Sequence, residues 1–61
     1  MGMSVKEARS IFCKQPNSQN ADKYSRIAEA AYKSRKITPL DLIGVCNDIQ
    51  QWLLGNPPRE D

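Results

Sequence analysis

The chain is 61 residues long, carries a net charge of +2 and contains no histidine, which confines it to one small domain without the residue most acid–base and zinc sites rely on. No apolar run reaches the length of a signal h-region or a membrane span. Cys13 and Cys46 lack CxxC spacing and are too few for a disulfide scaffold, so a cytoplasmic protein with both thiols free is expected.

Residues 1–3 read as start and cloning residues, with Met3 the native start; Lys6 stands where a myristoylation signal needs Ser or Thr. Ser4 followed by Glu7 has the form of a capping box, in which the serine oxygen accepts from an orphan amide and the glutamate reaches back to the cap. The helix this predicts runs over about 5–15, with Val5, Ala8, Ile11 and Phe12 on one side. Pro16 and the polar run PNSQN stop it.

Ser18 or Asn20 is the expected cap of a second helix over about 21–36, where Tyr24, Ile27, Ala28 and Ala31 recur at helical spacing. A third helix is expected over about 39–54. Thr38 suits its N-cap, Pro39 sits where a missing N–H costs nothing, and Asp41 favours the positive end of the dipole. Ile37 and Leu42 are spaced as a hydrophobic staple. Gly55 ends the helix, and residues 56–61 form a tail expected to be flexible. With no strand-like alternation and no internal repeat, the class is all-α with three helices in a single domain over 1–61.

The third helix is the most apolar. Leu42, Val45, Cys46, Ile49, Trp52 and Leu53 form one stripe, with Ile43 and Leu54 beside it and Leu40 farther round, giving an apolar arc of roughly 200°. Either this helix lies between the other two and buries both flanks, or one flank meets another protein or a second copy. On the second reading Leu40, Ile43, Trp52 and Leu54 form the protein-binding patch. Trp52 is its natural anchor, and a symmetric dimer would have its two-fold axis near Ile43. The core itself is expected to unite Phe12, Ile27, Ala31, Leu42, Val45, Ile49 and Trp52.

Charge divides the chain. Lys6 to Lys36 holds eight basic residues against three acidic ones, and Ile37 to Asp61 one against four. Lys23, Arg26, Lys33 and Lys36 are therefore the candidates for a nucleic-acid-binding face. Asp22 with Arg26 and Glu29 with Lys33 form i,i+4 pairs that partly neutralise it. The joint KITP invites a helix-turn-helix reading, but TPLDLIGV makes a poor recognition helix: leucine and isoleucine cannot discriminate bases by hydrogen bonding.

Nothing supplies a catalytic residue, a phosphate loop, a metal cluster or a cofactor motif. The expectation is a cofactor-free, non-enzymatic regulatory or accessory protein that binds another protein, with homodimerisation expected and no membrane or small-molecule substrate inferred. The alternative is a nucleic-acid-associated regulator that uses the basic side of the second helix.

Overall fold

A computed structural model describes residues 3–59; Met1, Gly2 and the last two tail residues, Glu60 and Asp61, lie outside the described residues. It contains α1 (Val5–Lys14), α2 (Ser18–Lys33) and α3 (Pro39–Leu53), and no strand among the described residues. The chain is a small all-α three-helix domain.

Ser4 is extended, and its Oγ accepts from the Glu7 N–H at 3.1 Å, which starts α1. Glu7 returns only to the serine hydroxyl, which donates to its Oε1 at 3.3 Å. The second helix begins earlier than its pattern suggests. Asn17 is its N-cap, accepting from the Asn20 N–H at 2.8 Å, while the Asn20 side chain donates to the Gln15 carbonyl at 2.8 Å. Neither Ser18 nor Asn20 is the cap. Asn20 instead satisfies a carbonyl left over at the end of α1.

The second helix also ends early, at Lys33 rather than Lys36. Arg35 adopts a left-handed φ of 59°. Its N–H donates to the Tyr32 carbonyl and the Lys36 N–H to the Ala31 carbonyl, the paired bonds of a Schellman motif. Such a stop is normally marked by glycine, and here arginine holds the position. The same paired bonds close α3, where Gly55 (φ 90°) donates to Trp52 and Asn56 to Gln51. At the start of α3, the Asp41 N–H donates to Thr38 Oγ1 at 3.2 Å and the Thr38 N–H to Asp41 Oδ2 at 3.0 Å. This is a complete reciprocal capping box, with the shorter aspartate serving in place of glutamate.

The buried core is Ala8, Phe12, Ala21, Tyr24, Ala28 and Val45. The three alanines let α1 and α2 approach closely, and Phe12 is the hub between the helices. Its ring centroid lies 5.6 Å from Tyr24 of α2 and 5.6 Å from Trp52 of α3, the latter edge-to-face at 83°. Ile27, Ile37, Leu42, Ile49 and Trp52 pack around this core half-buried. The central helix is α2, on which both others pack, and not α3: the α1 and α3 backbones do not come together, and these helices meet through long side chains. The reading that places α3 between the other two is therefore corrected. Small residues on α1 and α2 allow their close pairing, and α3 is left with one covered side.

Candidate protein-docking face

At 100° per residue, Val45, Leu42, Ile49 and Trp52 lie on the side of α3 that faces the core. The opposite side is open to solvent. There Leu40 is 76% exposed, Ile43 64% and Leu54 70%, and Leu53, on the flank between the two sides, is 71% exposed. Cys46 is exposed with them. Helical spacing puts Cys46 and Leu53 within the core stripe. They lie at its edge, and with only α2 as a backbone neighbour the helix cannot cover so wide an arc. Trp52 parts company with the other patch candidates: its ring packs edge-on against Phe12, on the side of α3 away from Ile43. It lies behind the face and is half-buried.

The outer side carries no charge. The charged residues of α3 are Asp41 and Asp48, and both are occupied elsewhere. Asp41 closes the capping box, and the Thr38 backbone N–H followed by the Thr38 side chain holds its carboxyl below the ordinary carboxylate value. Asp48 turns inward, where its Oδ2 accepts from Tyr24 Oη at 2.7 Å and from Arg9 Nε at 3.0 Å. Burial, then the hydrogen bond to Asp48, pushes the Tyr24 phenol well above its usual value of 10. Burial also opposes the Arg9 charge, but its hydrogen bond and attraction to Asp48 outweigh that, and the guanidinium pKa is raised. Periodicity gave no sign of this network. Its signal in the sequence is an aspartate on the inner side of an apolar helix, a position that requires partners once buried.

Three of the four basic candidates, Lys23, Arg26 and Lys33, lie on α2. Arg26 pairs with Asp22 at 2.9 Å and Lys33 with Glu29 at 3.4 Å, all of them well exposed. Lys36 lies beyond the end of α2, past the left-handed turn at Arg35, so only Lys23, Arg26 and Lys33 share the helix. Two acids among three bases leave that face with little net charge, and exposed pairs of this kind add little stability.

An open groove of about 580 Å³ lies where α1 begins and α2 ends, lined by Met3, Val5, Ile27, Ala31 and Ile37 among others. The tail runs beside Cys13 and Pro16, with Pro58 half-buried. Among the described residues no group of three or more His, Cys, Asp or Glu could hold a metal ion, and no helix is long and apolar enough to cross a membrane. No family model, curated protein or solved structure matches the chain.

Proposed function

We propose that this chain is a non-enzymatic regulatory or accessory module of the cytoplasm that works by binding protein through the outer face of α3. The observation that supports it is the uncharged side carrying Leu40, Ile43 and Leu54, with Leu53 on its flank, each more than three-fifths exposed. A soluble helix normally turns charged and polar residues outward. Large apolar side chains exposed together on one side of so small a domain are the mark of an interaction site.

Binding to this face is driven by apolar burial, and its specificity is set by the shape of the side-chain rows and by the amides of Asn47 and Gln50 between them. Nucleic-acid binding through Lys23, Arg26 and Lys33 ranks below it, because two of the three cations are engaged by neighbouring carboxylates. The test is capture from a lysate of the native host by wild-type protein and by a Leu40→Asp variant. Proteins retained by the first and lost from the second support the reading. Identical captured sets, or salt-sensitive submicromolar binding to a DNA duplex that Arg26→Ala and Lys33→Ala abolish, would overturn it.

A further inference from the structure

Leu40, Ile43, Asn47, Gln50 and Leu54 follow one another at intervals of three and four residues, the spacing of the a and d positions in a coiled-coil seam. All five are exposed. The contacts that hold α3 to its own domain fall at other heptad positions, through Leu42, Val45, Asp48, Ile49 and Trp52. The helix thus has a domain-facing side already in use and a complete seam facing outward.

From Ile43 to Leu54 the seam reads apolar, amide, amide, apolar, and this order is the same from either end. In an antiparallel two-fold pair residue i meets residue j and j meets i, so a palindromic order sets like chemistry against like in every layer. A different partner protein would place no such demand on it. An antiparallel alignment centred between positions 48 and 49 sets Ile43 against Leu54 of the second copy and Asn47 against its Gln50, twice over. Apolar meets apolar, and amides that both donate and accept meet each other. No like charges are brought together, because the seam has none. The two helix dipoles run in opposite directions, which favours the pairing.

Gly44 adds a separate observation. Glycine weakens a helix interior, and a Cβ built here would meet nothing within 4 Å. The domain itself therefore has no steric need for it. Beside an outward seam, the missing side chain lets a second helix come close.

We propose that the chain forms a symmetric dimer by antiparallel pairing of α3, with Ile43 opposite Leu54 of the second copy and Asn47 opposite its Gln50. The inference rests on the reading of this face as a docking surface and names its occupant. The symmetry axis lies between positions 48 and 49 rather than near Ile43. A seam of four layers is short, so the dimer is weak and exchanges readily.

Sedimentation of the wild type should show the average mass rising toward two chains as concentration approaches the millimolar range. Ile43→Asp and Leu54→Asp should stay monomeric with unchanged helicity, because each charge would be desolvated only in the pair. For the register, Ile43→Cys and Leu54→Cys proteins are mixed in a background with Cys13 and Cys46 replaced by alanine, its folding checked by circular dichroism. Mixed disulfides should dominate. Disulfides between like chains dominating instead would overturn the antiparallel register, and a wild type monomeric at millimolar concentration would overturn the dimer. If that monomer still captured another protein in a Leu40-dependent way, self-pairing alone would fall and the docking face would stand.

Discussion

Tyr24 of α2 donates a 2.7 Å hydrogen bond to Oδ2 of Asp48 on α3, and the same oxygen receives Arg9 of α1 at 3.0 Å. One carboxylate oxygen therefore joins all three helices. Asp48→Ala leaves the hydroxyl of a residue only 1% exposed without its acceptor, at a cost of about 1–3 kcal/mol. Asp48→Asn keeps an acceptor oxygen and should recover part of that loss. Urea denaturation of the two variants measures the difference, and equal destabilisation would show that the hydrogen bond contributes nothing beyond the charge.

Alkaline titration examines the same tyrosine from the other side. Burial first, and the bond to Asp48 second, raise the Tyr24 pKa above the ordinary 10, so the fold holds the neutral phenol. The unfolded chain ionises at the ordinary value. The stability linked to Tyr24 is thus fully present below about pH 10 and is lost as pH rises toward the folded-state pKa. In a Tyr32→Phe protein, the tyrosinate absorbance should grow together with the loss of helicity. Absorbance that rises while the helices remain intact would contradict this linkage.

Arg35 carries a left-handed φ of 59° at the end of α2, a conformation that glycine adopts without the steric penalty of a Cβ. Arg35→Gly should stabilise the protein by about 1 kcal/mol, after allowance for the greater freedom of glycine in the unfolded chain. For a domain of this size that is a melting temperature higher by about 4–8 °C. Arg35→Ala keeps the Cβ and should bring no such gain; an equal rise for both variants would remove backbone strain as the cause.

Phe12 is fully buried and touches rings on both other helices. Phe12→Ala should cost about 3–5 kcal/mol, enough to unfold much of so small a domain. Ile49 is only half-buried, and Ile49→Ala should cost less. Thermal melts followed by circular dichroism rank the two, and the reverse order would place the hub of the core on α3.

The starts of α1 and α3 were legible in the sequence because they rest on local chemistry, whereas in the polar run before α2 several residues could cap and Asn17 does. Thr38 with Pro39 marks α3 without reference to anything distant, and Ser4 does the same for α1. The end of α2 was not legible, since Arg35 takes a backbone conformation that its side chain does not advertise. The breadth of the apolar arc on α3 could be read from spacing alone. Which part of that arc is covered depends on alanines in the other two helices, and pairing between α1 and α2 decided it. The place of Asp48 on the inner side of an apolar helix signals that it needs partners, but a hydrogen bond spanning 24 positions leaves no local sign that Tyr24 is one of them.

The arrangement in which α2 alone supports α3 has a consequence for hydrogen exchange. The amides of α2 are flanked by helices on two sides and should exchange only when the whole molecule opens. Those of α3 lean on one neighbouring backbone, so the helix can lift away as a unit while α1 and α2 remain joined, a local opening of lower free energy. If α3 pairs with a second copy as proposed above, raising the protein concentration should slow exchange in α3 more than in α2, since a paired helix must first lose its partner before it can lift.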